Sequence, residues 1–389
     1  MRFLVLFLLS LPVFAQDYYI ANSGDNTNPG TRPSPWATLM HAYNNIEAGD
    51  TVNLKRGDTW KSYIQTVNGV TYQSYGEGEL PLVDGDQKDW YGVWGIAAQD
   101  ITIRDIEFTN SKSTGIWLYS EPGVPVKNII LEGLYIHDVP ISAAMWIYNG
   151  NQQQDAIDNI DNNVWMENII VRNNLIERVG QSGVLIAGVK NAFIYGNRIH
   201  RSGEQRTPNN AISLHACEDV SVVNNHVTDT MTGSTSGDGH GVNLDRLGED
   251  YDYNCKRVLV KSNVVSNIIN NGNFSAGIQS WRGQDSIIED NYVGGTDAGY
   301  VNSAEGSTGN IFRNNVSVNT KIGFRADVRS GQAEVYGNTF HGTLAAFHTM
   351  WPGEYPLEHD NYLCGFEYTH IGHGDNPGPP LHETDVICP

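Results

Sequence analysis

Ten residues from Gly237 to Arg246, Gly-Asp-Gly-His-Gly-Val-Asn-Leu-Asp-Arg, gather two carboxylates, an imidazole and a guanidinium. Those groups can take a proton, stabilise the charge that follows, or hold an anion. The second half, Gly241–Asp245, alternates apolar and polar side chains as a half-buried strand does. Asn243 and Asp245 then share one face of it with each other and with whatever lies on neighbouring strands. His240 falls in the preceding loop and would project over the strand end. What these residues can do therefore depends on the elements beside them.

Those elements come from repeats. From about residue 100 the chain returns to short turns centred on Asp105, Gly133, Asn174, Asn197, Asn225, Asn263, Asn291, Asn315 and Asn338, at intervals of 23 to 41 residues. Irregular repeats of short alternating runs, rich in Asn and Gly, describe a solenoid of strands and turns. Stacked Asn side chains can hydrogen-bond up its axis, so these asparagines are read as structural. A second run in each coil aligns as Gly115–Tyr119, Ala144–Tyr148, Gly183–Ala187, Ala211–His215, Gly241–Asp245, Gly277–Trp281, Gly299–Ser303, Gly323–Asp327 and Ala346–Met350. Second and fourth positions suit an interior, so the third and fifth face outward. One outward column reads Trp117, Trp146, Leu185, Ser213, Asn243, Gln279, Val301, Arg325, His348. The other reads Tyr119, Tyr148, Ala187, His215, Asp245, Trp281, Ser303, Asp327, Met350. Aromatics gather at one end, where they either bind a ligand or support an overlying loop, and polar groups gather in the middle.

With coils stacked about 4.8 Å apart, His215, Asp245 and Trp281 are consecutive. The pair His215–Asp245 would be an imidazole oriented by a carboxylate, as a general base requires. Trp281 and Tyr148 offer faces to a sugar ring, and Asn243 and Gln279 offer neutral hydrogen bonds to hydroxyls. Arg246 and Arg282 follow that column one coil apart and would hold a carboxylate between them, or pair with Glu249, Asp250 or Asp285. Neutralising a sugar carboxylate while a base takes the adjacent proton is the requirement for β-elimination on a uronate chain. In that reading His215, Asp245, Arg246, Arg282 and His240 are catalytic, and Asn243, Gln279, Trp281, Arg325 and Tyr148 bind substrate. Hydrolysis needs two carboxyls about 5 to 9.5 Å apart. Asp245 and Asp327 are three coils apart, roughly 14 Å, which leaves Asp238 or Glu305 to meet Asp245 through loops.

The opening, Tyr18-Tyr19-Ile20-Ala21-Asn22-Ser23-Gly24 through Ser34-Pro35-Trp36 to Gly57-Asp58-Thr59-Trp60, resembles that of secreted right-handed parallel β-helix proteins of the pectate-lyase superfamily, including family-nine-type pectate lyases. The resemblance implies a capping segment on the first coil, with a short helix expected near Trp36–Ile46, and an enzyme acting on polysaccharide. Pectate lyases use Lys or Arg as base, which brings in Arg325 and Lys321. Gly239-His240-Gly241 resembles the Gly-His-Gly of polygalacturonases, whose other motifs are absent. The calcium-binding Asp-Asp-Gly-Phe-Asp pattern of family-nine-type lyases is also absent, its nearest counterpart being Gly323–Asp327. Calcium enters only as a candidate for the acidic insertions at Asp155, Asp158 and Asp161 and at Glu249, Asp250 and Asp252, which otherwise read as solvated loops; no other cofactor is expected.

Met1–Ala15 reads as a secretory signal: Arg2, an apolar Phe3–Phe14 core too short to span a bilayer, and a small-residue cut before Gln16. The formal charge of -20, with no basic tract, argues against nucleic acid or membrane partners. A secreted or periplasmic monomer facing an extracellular polysaccharide is expected. Oxidising surroundings permit disulfides. Cys217 and Cys255 each lie eight residues before their coil's Asn, so they should face each other across one coil, and Cys364–Cys388 should pin the C-terminal tail. The expectation is an all-β right-handed parallel β-helix: a signal over 1–15, a cap and first coils over 16–98, coils over 99–352 and an irregular tail over 353–389. A polysaccharide lyase comes first, a glycoside hydrolase second, and a non-catalytic carbohydrate-binding or adhesion solenoid third.

Overall fold

The structure is a computed structural model that describes residues 15–205, 209–231, 239–248, 253–268, 274–327, 329–350, 354–372 and 380–388. Apart from Ala15, the signal segment lies outside the described residues, as do Asp238, Glu249, Asp250 and Asp252.

Strands pair with the equivalent strand of the next coil, always in parallel. One ladder runs from Thr114–Tyr119 through Met145–Tyr148 to Val184–Ala187, with Ile116 opposite Met145 and Met145 opposite Val184. It continues through Ile212–His215 and Gly239–Asp245 to Ser275–Trp281 and Ala298–Ser303. Other ladders stack Gln99–Arg104 on Lys127–Glu132, and Glu107–Thr109 on Tyr135–Val139. The chain winds as a parallel β-helix, and both outward columns keep the register expected for them: Trp117 faces Trp146, Ser213 faces Asn243, Asn243 faces Gln279, and Val301 faces Arg325. The core is the set of inward side chains; Ile116, Leu118, Ile186, Leu214, Val242, Leu244 and Ile278 are fully buried.

Asparagines bind the coils at one corner. Asn174 donates to Asn197 Oδ1 (2.9 Å), Asn197 to Asn225 (2.9 Å), and the chain of bonds passes through Asn263, Asn291, Asn315 and Asn338 to Asn361. Just before each of these residues the backbone turns left-handed, at Asn173 (φ 55°), Asn224 (54°), Asp290 (57°) and Asn314 (55°), a conformation that Asn, Asp and Gly tolerate best. The first two turns read from sequence were one residue out of phase. Glu132 faces Arg172, and Leu134 N–H donates to Asn174 Oδ1, so Leu134, not Gly133, shares the position of Asn174. By the same register Ile106 replaces Asp105. Both are buried; the ladder begins apolar and turns to Asn at Asn174.

The cap carries the helix α1, Leu39–Tyr43, shorter than the span expected near Trp36–Ile46, because Thr38 Oγ1 caps it by accepting the His41 N–H. Trp36 lies outside it, buried and stacked on Tyr18 (4.4 Å). The acidic insertion expected as a loop is helix α2, Gln153–Asp161. Its carboxylates are engaged with protein: Asp155 accepts the Gln152 N–H, Asp158 a Gln154 amide, and Asp161 the Tyr253 hydroxyl. Residues 353–389, read as an irregular tail, carry the strands Leu357–His359, Tyr362–Cys364, Tyr368–Ile371 and Val386–Ile387, each paired to the coil before it. Asn361 and Asp385 prolong the ladder there. Both expected disulfides are formed, Cys217–Cys255 with Cα atoms 4.3 Å apart and Cys364–Cys388 with 4.8 Å. No helix among the described residues is long and apolar enough to cross a membrane.

Candidate active site

Three consecutive strands carry the polar middle of the outward face: Asn209–Val223, Gly239–Asp245 and Ser275–Trp281. Gly241 and Gly277 stay bare because a Cβ on Gly241 would meet the Val265 side chain at 2.3 Å and the Gly277 carbonyl at 2.6 Å, and one on Gly277 the Val293 side chain at 2.2 Å and the Gly299 carbonyl at 2.8 Å. Above the strands lies a cleft of about 530 Å³ lined by Trp146, Tyr148, Leu185, His215, Asp245, Arg246 and Trp281, with Gln153 of α2, Gln181, Leu247 and Gly248 completing it. Helix α2 makes a wall, packing Ala156, Ile157 and Ile160 against Ala187, Ala216 and Leu247.

His215 is held by both ring nitrogens. Nδ1 lies 3.0 Å from the Arg246 carbonyl, which can only accept, so Nδ1 carries the proton. Nε2 lies 2.9 Å from Ser213 Oγ, and that hydroxyl in turn accepts from Asn210 Nδ2 (3.1 Å). The lone pair therefore sits on Nε2. Asp245 does not orient the ring as expected from sequence: its Oδ2 stands 3.9 Å from Nδ1, too far for a hydrogen bond. It accepts instead from the Arg246 N–H (2.7 Å) and Asn243 Nδ2 (3.2 Å). At that distance it lies beside the imidazole without directing it.

Other residues singled out in the sequence separate by depth. Expected in a loop, His240 lies inside the strand Gly239–Asp245 and is 4% exposed. Its Nδ1 accepts the Ala276 N–H (3.2 Å), and burial pushes its pKa down to about 3, so it stays neutral and out of reach of a ligand. Asn243 and Gln279, expected at the surface, are also buried, and their side-chain oxygens have no hydrogen-bond partner among the described residues. The outward column is covered here; Val301 packs with Ala276, Ala298 and Ile322 beneath Phe274. Arg325 is committed to structure, paired with Asp327 (3.0 Å) with its guanidinium 4.2 Å from the Phe274 ring centre. Lys321 is bridged to Asp297 (2.6 Å).

Arg246 and Arg282 do not close on one carboxylate. Arg246 lines the large cleft, whereas Arg282, in a left-handed turn (φ 65°), lines a smaller one of about 180 Å³ with Ala304, Glu305 and Arg329. Trp281 borders both and separates them. Tyr148, half-buried at the other end of the large cleft, has its hydroxyl pKa pushed up to about 12 by desolvation, so it keeps its proton through the physiological range. Sequence reasoning missed Ser213 as the partner of His215 and Asn210 as the donor to Ser213, although Ser213 stood in the right column. It also missed α2, whose signal was present: Ala156, Ile157 and Ile160 make one helical face behind the capping box of Gln152 and Asp155. Among the described residues Asp245 is the one carboxylate lining the large cleft, and no group of three or more His, Cys, Asp or Glu side chains is arranged to hold a metal ion.

A family model described as the right handed beta helix region matches residues 86–249. Among solved structures, the chain is similar to a GH136 lacto-N-biosidase from Eubacterium ramulus, with a TM-score of 0.67 at 15% identity over 96% of this chain and 68% of that one. It is similar to XylC in complex with xylose, with a TM-score of 0.62 at 13% identity over 89% and 86% of the two chains. Pectate lyase Pel9A gives 0.56 at 15% identity over 79% and 76%. In sequence, the uncharacterized protein YwoF of Bacillus subtilis is 26% identical over 141 residues, which is 30% of this chain and 29% of that protein. The chain is thus a right-handed parallel β-helix, and the likeness to pectate-lyase-type proteins suggested by its opening holds at the level of the fold.

Proposed function

We propose that this right-handed parallel β-helix is an exported polysaccharide lyase that cleaves a uronate-containing chain by β-elimination in the cleft of His215. The observation that carries the reading is the make-up of that cleft: an imidazole with its lone pair on Nε2, a guanidinium, a tyrosine that keeps its proton, and Asp245 as its one carboxylate among the described residues. Elimination asks for that set, and paired-carboxylate hydrolysis asks for another.

Arg246 neutralises the sugar carboxylate, which acidifies the adjacent C5–H. His215 Nε2 takes that proton as the Ser213 hydroxyl turns to accept, and the imidazolium is met by the Asp245 carboxylate. The C–H electron pair forms the C4=C5 double bond, the C4–O4 bond breaks, and the departing oxygen takes a proton from the Tyr148 hydroxyl. Trp281 and Trp146 supply ring faces on either side. The polysaccharide is extracellular in this reading, in keeping with the two disulfides.

The test is incubation with pectate, alginate, glucuronan, glycosaminoglycans and neutral glycans. New ultraviolet absorbance from an unsaturated uronate is expected with one of the acidic polymers. His215→Ala should reduce it by about 10²–10⁴-fold, and Tyr148→Phe should lower kcat more than KM. Reducing ends without absorbance would make the protein a hydrolase, and retention without cleavage a binding protein.

A further inference from the structure

The sheet face that carries His215 does not stop at the cleft. In the column of Ser213, the register continues through Leu185, Trp146 and Trp117 to Trp94. Trp94 and Tyr91 belong to the strand Tyr91–Ile96 and, with Tyr63, Lys88, Asp89 and Trp90, line a separate hollow of about 240 Å³. Between the two hollows the aromatic surface is unbroken. Tyr91 meets Trp117 edge-on at 4.7 Å, Trp117 lies 5.2 Å from Tyr119, Tyr119 faces Tyr148 across one coil, and Tyr148 lies 6.1 Å from Trp146. Four coil spacings separate Trp94 from the row of Ser213 and His215, about 19 Å.

The far end of this surface is open, not covered by an overlying loop. Trp90 is 54% exposed, and Trp94, Trp117 and Trp146 are half-buried, with rings that reach the surface. In a chain of charge -20, a cation stands at its edge: Lys112 Nζ lies 4.4 Å from the Trp90 ring centre, while in the hollow itself Lys88 is paired with Asp86 and Asp89 adds a carboxylate. Flat apolar faces with positive charge at their edge fit a chain of pyranose rings bearing carboxylates. The coil repeat, comparable to the length of one pyranose unit, sets an aromatic side chain under successive sugars.

We infer that the Tyr63–Trp90–Trp94 hollow is a remote subsite for an anionic polysaccharide, joined to the His215 cleft by the track Trp94–Trp117–Trp146. The chain then lies along the helix axis, with several sugar units bound on the N-terminal side of the reacting bond. The inference rests on the proposed function for the identity of the polymer but not for the binding itself.

The experiment uses the full mature chain and two substitutions, Trp90→Ala, at an exposed position, and Trp94→Ala. Affinity electrophoresis in gels containing polygalacturonate, alginate, glucuronan or hyaluronan measures binding without turnover. Cleavage of polymer is compared with cleavage of a trisaccharide of the same acid. Binding of the retained polymer should weaken about tenfold in each variant, the loss expected on truncating one aromatic anchor, and KM for polymer should rise while trisaccharide turnover is unchanged. Lys112→Gln should weaken binding most at low salt. Equal retention of wild type and both variants in every gel that retards the wild type overturns the inference, as does a wild type that no gel retards. Retention lost in the variants of a protein that cleaves nothing upholds the subsite and overturns the lyase reading.

Discussion

His215 and His240 are the same side chain put to opposite uses by one strand's difference in depth. His215 has Nδ1 fixed on the Arg246 carbonyl and Nε2 turned to a hydroxyl at a cleft wall. His240 has an amide donor on Nδ1, the Phe274 ring 6.4 Å away, and only 4% exposure. Burial favours the neutral form, and that makes a stability statement. With a folded pKa near 3 and an ordinary unfolded value, the unfolded chain binds a proton that the folded one refuses. The resulting penalty is absent above about pH 6.5 and grows as pH falls toward 3, by about 1.4 kcal/mol per pH unit across that window. Urea midpoints measured from pH 7 to pH 4 should therefore fall more steeply for wild type than for His240→Gln, which keeps an acceptor for Ala276. Parallel curves would mean that this ring is hydrated.

Coils are joined by hydrogen bonds inside the turn as well as by apolar packing. Asn263 is fully buried; its amide donates to Asn291 Oδ1 (3.0 Å) and the Val222 carbonyl (2.9 Å), and its oxygen accepts from Asn225 (3.0 Å). Removing the side chain leaves several buried groups unpaired at once. Asn263→Ala should cost about 3 kcal/mol of stability in denaturant melts. A loss within the ±0.5 kcal/mol usual for surface changes would show that the ladder is decoration. Helix α2 illustrates the other kind of element: it contributes nothing to the repeat, yet Gln153 and the packing of Ile157 and Ile160 build a cleft wall over Ala187.

At the scale of the molecule, a solenoid must close its ends. The N-terminal end is closed by α1 and the buried Trp36 and Trp60, whose indole N–H donates to the Ala37 carbonyl (3.0 Å). The C-terminal end is closed by the coils after residue 353, where His370 stacks on Phe347 at 5.0 Å and Leu363 is buried. A chain ended after Met350 would expose Phe340 and Phe347. It should melt several degrees lower and bind a hydrophobic dye at room temperature, while the coils of His215 stay intact. An unchanged melting curve would make those last coils dispensable.

Composition and repeat alone determined the winding of this chain, because a parallel stack repeats one pattern of inward and outward residues in every coil. The columns from Trp117 to His348, the shared row of His215 and Asp245, and the pairing of Cys217 with Cys255 all follow from a period read off the residues. Phase failed where the ladder residue is apolar, at Ile106 and Leu134, since no Asn marked the turn. Depth was the part that only the tertiary structure decided. Alternation says which way a side chain points, but not what lies over it, so Asn243, Gln279 and Arg325 kept their outward columns and were covered or engaged elsewhere, while His240, expected in a loop over the strand end, lies buried within the strand. Arg246 and Arg282 followed the same column and were parted by Trp281. The cleft exists because α2 and the segment after Asp245 leave Tyr148, His215 and Arg246 uncovered, and coverage depends on the packing of insertions, which no repeat encodes.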